Sequence, residues 1–155
     1  MRLALKEAES AYQKKEVPIG AVVVENQQVI GRGHNLVETL QDPTAHAEII
    51  AIGAAANAKQ SWRLNGVTLY VTIEPCTMCI GAITLARLNQ LVFGASDESM
   101  GACGSVIDIS AMEKINRTVK VISGILQEEC GFLMKSFFNE LRKKEPLSPP
   151  GISLN

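Results

Sequence analysis

Three residues far apart in the chain carry the donor atoms that suit a metal: His46, Cys76 and Cys79. They stand in two short stretches, Pro43-Thr44-Ala45-His46-Ala47-Glu48 and Glu74-Pro75-Cys76-Thr77-Met78-Cys79. One imidazole nitrogen and two sulfurs make a soft ligand set that fits zinc. Cys76 and Cys79 are three apart, so on a helix they share a face and can grip one ion. Pro75, directly before them, belongs at a helix start, where its missing N–H costs nothing. His46 also falls near a helix start, with Asp42 or Thr44 as candidate caps. Glu48 follows two residues later, and residues two apart do not share a helix face. Both can address one ion only if it lies off the helix tip. Two helix tips aimed at one ion add partial positive charge, which favours thiolates and a bound hydroxide. Three protein ligands leave one tetrahedral position for water, as in a catalytic zinc, and Glu48 beside that water can shuttle its protons.

These residues need elements to hold them. Leu5, Ala8, Ala11 and Tyr12 recur at helical spacing and predict an amphipathic helix over residues 2 to about 15. Val17-Pro18-Ile19-Gly20 ends it. Residues 21–24 and 29–30 read as strands around a polar turn at 25–28, a hairpin. Gly31 and Gly33 predict a bulge or a close backbone approach. A polar loop over 38–43 leads into the His46 helix, alanine-rich through Ala58. A strand is expected over 68–72, the cysteine helix to about Arg87, and a strand over 91–94. A glycine-containing loop at 97–104, a strand at 119–122 and a long helix over about 126–144 complete the chain. Strands separated by helices imply parallel crossovers, hence a mixed sheet with helices on both faces. Met78, Ile80, Ala82, Ile83 and Leu85 make the cysteine helix apolar nearly all round, so it must be buried on most sides or lie in a subunit contact. Pro146, Pro149 and Pro150 rule out helix at the end. The expected organisation is one zinc-dependent domain over 1–145 and a flexible tail over 146–155.

The 155 residues suit a single domain, and 46 % hydrophobic content supports a substantial core. A net charge of −1 gives no global signal for nucleic acid, so any RNA affinity must come from local basic patches. No apolar run is long enough to span a membrane. Residues 1–7 carry charges too early for a secretory segment, so a reducing cytoplasm is expected and the four cysteines read as ligands or buried thiols.

His46-Ala47-Glu48 with Pro75 to Cys79 fits the H-x-E…P-C-x-x-C signature known for zinc nucleobase deaminases. The chain resembles the cytidine deaminase-like superfamily and, within it, the bacterial tRNA-specific adenosine deaminases, which convert the wobble adenosine of an anticodon to inosine. The resemblance spans residues 2 to 144. It is carried by the zinc motif and by Val17-Pro18-Ile19-Gly20-Ala21, Gly33-His34-Asn35, Gly81-Ala82 and Val92-Phe93-Gly94-Ala95 with Asp97 and Gly101. It implies a three-layer α/β/α sandwich with a five-stranded sheet, one Zn2+ per chain, and a homodimer with sites near the subunit contact. It also implies a tRNA anticodon stem-loop as partner, with no DNA and no membrane. By similarity, Asn35 would bond the target nucleotide and the Ala47 backbone N–H the base. Asp97 would belong to the loop that meets the anticodon, and Phe137 with Phe138 would lie beside the RNA. Glu48 would take a proton, leave hydroxide to attack C6 of adenine, and return the proton to the ring nitrogen before ammonia departs.

Other readings compete. A structural zinc would need a fourth ligand from Cys103, Cys130 or His34, and would leave Glu48 without a role. Cys130 on the last helix reads as core, and Cys103 as a bystander thiol. A free-base or nucleoside deaminase, such as a guanine or cytosine deaminase, would use the same metal site. A non-catalytic, zinc-stabilised RNA-binding module is disfavoured by an intact Glu48. The two enzymatic readings separate on whether only folded RNA is deaminated.

Overall fold

A computed structural model of the chain describes residues 1–115 and 119–144. Strands β1 (Gly20–Glu25) and β2 (Gln28–His34) form the expected hairpin. Its turn is Asn26 and Gln27, at φ 48° and 63°. Positive φ at both central residues matches the twist of paired strands, so the hairpin closes without a glycine. The other strands are β3 (Thr68–Ile73), β4 (Gln90–Ala95) and β5 (Lys120–Ile122). They form one mixed five-stranded sheet in the order β2-β1-β3-β4-β5. β1 runs antiparallel to both β2 and β3, while β3, β4 and β5 are parallel.

Helices cover both faces. α1 (Arg2–Gln13) and α5 (Gln127–Lys144) pack on one, α3 (Ala47–Lys59) and α4 (Thr77–Leu85) on the other. A row of small residues lets α3 lie close to the sheet. Ala47, Ala51 and Ala55 are fully buried at four-residue spacing and face Gly31 and Gly33 of β2. Ala4 and Ala8 of α1 meet Gly20 in the same way. The two glycines of β2 therefore mark close approach of a helix.

Several boundaries differ from the sequence reading. α1 stops at Gln13 because Lys15 turns left-handed, at φ 63°. The Glu16 N–H then bonds the Ala11 carbonyl and the Lys15 N–H bonds that of Tyr12, each at 3.0 Å. This is a Schellman ending, and it aims Glu16 inward. α3 ends in the same way at Gln60 and α4 at Arg87, with φ of 50° and 61°. A short helix, α2 (Val37–Leu40), occupies part of the expected polar loop. α4 buries only one side: Cys79, Ile80 and Ile83 are inside, whereas Leu85 is 76 % exposed. The expected tail at 146–155 lies outside the described residues. Among those described, no helix is long and apolar enough to cross a membrane.

Candidate active site

β2, β3 and β4 point the same way, and the chain leaves their carboxyl ends at Asn35, Glu74 and Ser96. Outside the carboxyl ends of an α/β sheet is where ligands are generally bound. α3 and α4 begin at this same end. His46 is the N-cap residue of α3, at φ −73° and ψ 152°, and Cys76 that of α4, at φ −75° and ψ 177°. Neither side chain caps its own helix, so both are free to point off the tip. Asp42 and Thr44 are not the caps expected from the sequence. Asp42 Oδ1 instead accepts the Thr44 N–H at 2.8 Å and its hydroxyl at 2.7 Å, a turn inside the preceding loop.

The three donor atoms converge. His46 Nδ1 lies 3.7 Å from Cys76 Sγ and 3.5 Å from Cys79 Sγ, and all three atoms lie within 4.8 Å of one another. Zinc bonds of about 2.3 Å to sulfur and 2.0–2.1 Å to nitrogen, at a tetrahedral angle, put such donors about 3.6 Å apart. The residues therefore fit zinc. Among the described residues no other group of three or more metal-ligating side chains comes together. Cys130 packs against Gly94 on the other face of the sheet, and His34 pairs with Glu7 at 3.2 Å. Cys103 is outside the group of converging donors, and its N–H donates to the Glu74 carboxylate at 2.8 Å. No side chain among the described residues closes the site as a structural zinc requires.

Charge around the triad is distributed unevenly. The hydrogen bond from the Cys79 thiol, with His46 beside it, holds Cys76 as a thiolate and brings it down to about 4. The same pairing, followed by burial, pushes Cys79 up. The bond to Cys76 raises the His46 imidazole. Glu48, one residue into α3 and only 3 % exposed, is pushed up to about 7 by burial. A carboxyl in that range can both take and return a proton near neutral pH. Ala47 is fully buried as the first residue of α3, where backbone N–H groups have no partner inside the helix.

A cavity of about 1460 Å³ opens above this floor, with His46, Glu48 and Cys76 in its lining. Asn35 lines it too, 5 % exposed, and its Nδ2 donates to Glu16 at 3.1 Å. Asp97 is at the rim, its Oδ1 accepting from Ser99 N–H at 2.9 Å and Met100 N–H at 3.2 Å, which folds the loop on itself. Phe137 is not brought to the site. It is 6 % exposed and packs edge-on against Tyr12, with ring centroids 5.6 Å apart. Its neighbour Phe138 lines the cavity, together with Phe132, which is 71 % exposed, and Lys135 and Arg142. Adjacent residues on a helix point in different directions, and the face of α5 toward the cavity excludes Phe137.

Two buried carboxylates escaped the sequence reading. Glu74 Oε1 accepts the N–H groups of Cys103 and Ser105 at 2.8 and 3.1 Å. Its Oε2 accepts the Asp97 N–H at 3.1 Å and the Ser105 hydroxyl. Glu74 thus ties the 97–105 loop to the start of the cysteine motif. Glu16 does the same for the Asn35 side. The sequence signal was present in both: each acid stands beside a proline-containing break, Glu16 before Val17-Pro18 and Glu74 before Pro75.

Comparison with known proteins agrees with this geometry. A family model described as MafB19-like deaminase matches residues 1–142. The tRNA-specific adenosine deaminase of Bacillus subtilis is 48 % identical over 153 residues, covering 99 % of this chain and 95 % of that protein. A solved structure from work on A-to-I editing by tRNA:A34 deaminases superposes with a TM-score of 0.83 at 44 % identity, covering 86 % of this chain and 96 % of that one. The guanine deaminase of Bacillus subtilis is more distant: 27 % identical, TM-score 0.60, covering 99 % and 96 %.

Proposed function

The chain belongs to the tRNA-specific adenosine deaminase family, and we propose that it hydrolyses the wobble adenosine of a tRNA anticodon to inosine, with release of ammonia. One observation carries this reading: His46, Cys76 and the Glu48 carboxyl line a cavity of about 1460 Å³, and the buried Cys79 brings its sulfur to the same donor cluster. Pockets for small molecules run to about 300–1,000 Å³. This cleft has room for nucleotides flanking the base, and its outer wall on α5 offers Phe132 and Phe138 for stacking and Lys135 and Arg142 for phosphates.

His46, Cys76 and Cys79 would hold one zinc ion, which would supply a Lewis acid to make water nucleophilic near neutral pH. Glu48 accepts the proton of the attacking water, delivers it to N1 of the adenine ring, and assists protonation of the departing amino group. The Ala47 N–H holds the edge of the base over this floor, and Asn35 orients the nucleotide. Asp97, by keeping its loop folded, shapes the rim that meets the anticodon. The base enters unstacked, which an anticodon loop permits at low cost.

Two features extend the reading. The apolar side of α4 left uncovered by this chain, with Leu85 at 76 % exposure, serves as a homodimer contact. A cytoplasmic location follows from the substrate class. Incubation with a set of transcribed tRNAs, read for inosine beside free-nucleoside controls, tests the function. Inosine confined to anticodons carrying adenosine at the wobble position is expected. Its absence from every tRNA would overturn the proposal.

A further inference from the structure

Glu16 is 1 % exposed and carries a charge in the wall of the cavity, yet the deamination chemistry gives it nothing to do. Its surroundings account for the charge. Oε1 accepts the Thr39 N–H at 2.6 Å, and Oε2 accepts the Glu38 N–H at 3.2 Å and Asn35 Nδ2 at 3.1 Å. Burial alone would raise this carboxyl, but the bonds from Thr39, Glu38 and Asn35 together lower it. An ionised carboxylate only accepts hydrogen bonds. The Asn35 amide must therefore meet it with the nitrogen end, and the orientation of Asn35 follows from chemistry. Its backbone N–H is separately fixed to the Ile19 carbonyl at 3.0 Å. Among the described residues no donor meets Oδ1 of Asn35, and no buried side-chain polar atom is left unpaired. That oxygen is thus open to the cavity that Asn35 lines.

Building on the proposed function, we propose that Glu16 is a positioning residue. It holds Asn35 by Nδ2 and so presents Oδ1, an acceptor, to the bound nucleotide. The substrate group recognised there must then be a donor, a sugar hydroxyl or a base N–H, and not a ring nitrogen or carbonyl. Because the same carboxylate grips Glu38 and Thr39, it also fixes the start of α2 against the end of β2.

A swap of polarity tests this. Glu16→Gln leaves one amide oxygen for the three N–H donors of Asn35, Glu38 and Thr39 and turns an N–H against the rest, and Asn35→Asp places a second carboxylate against Glu16. Each single variant should lose roughly 100-fold in kcat/KM on an anticodon stem-loop, as misplaced reacting groups do. In the double variant, the amide introduced at position 16 donates to the carboxylate introduced at position 35. The second oxygen of that carboxylate still faces the cavity as an acceptor. The double variant should recover about 10-fold over either single change, a coupling of the size seen within shared hydrogen-bond networks. Recovery stays partial because the Glu38 N–H loses its acceptor. The same order should hold for stem-loop Kd measured in a Glu48→Ala background, where no chemistry intervenes. Zinc content and melting temperature report the fold of each variant. A double variant no better than the singles would overturn the positioning role while wild-type inosine formation left the function standing. If Glu16→Gln alone fails to fold, Asn35→Asp decides: folded protein with wild-type turnover would sink the proposal, since two carboxylates cannot keep that contact. Failure of the wild type itself to form inosine would instead remove the functional reading.

Discussion

The close contact between β2 and the first turn of α3 makes a sharp test, because it sits directly behind the reacting groups. A methyl group at Gly33 would stand 2.3 Å from the Ala47 carbonyl oxygen and 2.6 Å from the Ala51 amide nitrogen, where real Cβ atoms stay beyond 3.0 Å. Neither neighbour is a flexible side chain, so the helix start itself must retreat. A retreat of roughly 1 Å at His46 and Glu48 costs about 100-fold in rate. Overpacking of this kind also destabilises by about 1–3 kcal/mol. Gly53 provides the control within the same helix: nothing lies within 4 Å of its Cβ position, and it is exposed. Gly53→Ala should therefore stabilise by about 0.5–1 kcal/mol, the ordinary gain from removing a mid-helix glycine. At roughly 2–4 °C per kcal/mol, thermal melts should move in opposite directions for the two variants. Inosine formation should collapse for Gly33→Ala and hold for Gly53→Ala. Equal melting temperatures with wild-type turnover in Gly33→Ala would refute the view that α3 is seated by this contact.

Other outcomes follow from the same geometry. Elemental analysis of Cys76→Ala should find zinc lost, while Cys103→Ala and Cys130→Ala keep it; equal loss in all three would contradict an open three-ligand site. Glu48→Ala should keep zinc and fold yet lose nearly all turnover, and a zinc-loaded variant with near-normal rates would remove Glu48 from the proton path. Glu16 and Glu74 are held below the usual carboxylate range by hydrogen bonds that outweigh burial. A lowered folded-state value gives stability that is present above the unfolded carboxylate range and lost as pH falls through the folded one. Chemical-denaturation midpoints should therefore drop on acidification below about pH 4, and Glu74→Gln should flatten that slope; an unchanged slope would contradict the role given to Glu74. Sedimentation should give a dimer at micromolar concentration and a lighter species for Leu85→Glu, whereas a wild-type monomer would rule out the α4 contact.

The cluster of His46, Cys76 and Cys79 was legible because ligand chemistry and three-residue spacing are local, and because Pro75 announced a helix start. The mixed sheet was legible for a similar reason: apolar runs alternated with helical patterns. What stayed hidden depended on distant partners. The helix ends fell within a residue or two of their expected places, but the left-handed backbone at Lys15, Gln60 and Arg87 that closes them was not legible, because glycine usually marks it and none stands there. Glu16 looks like a solvated helix-end charge until residues 35–39 fold over it and supply three donors. Phe137 and Phe138 are equivalent in sequence, and only the seating of α5 on Tyr12 decides that Phe137 is buried and Phe138 faces the cavity.

The decisive measurement compares products from RNA and from free bases with one zinc-loaded preparation. An anticodon stem-loop with adenosine at the wobble position is incubated beside the same loop with that adenosine moved by one position, and beside free adenosine, guanine, cytosine and cytidine. Inosine is read by nucleoside mass spectrometry and ammonia by coupled assay, at low and at high salt. Deamination of tRNA predicts inosine at the wobble position alone, weaker RNA binding as salt rises because phosphate contacts release counterions, and little ammonia from any free base. Robust ammonia release from a free base, with no inosine in any RNA, would contradict it.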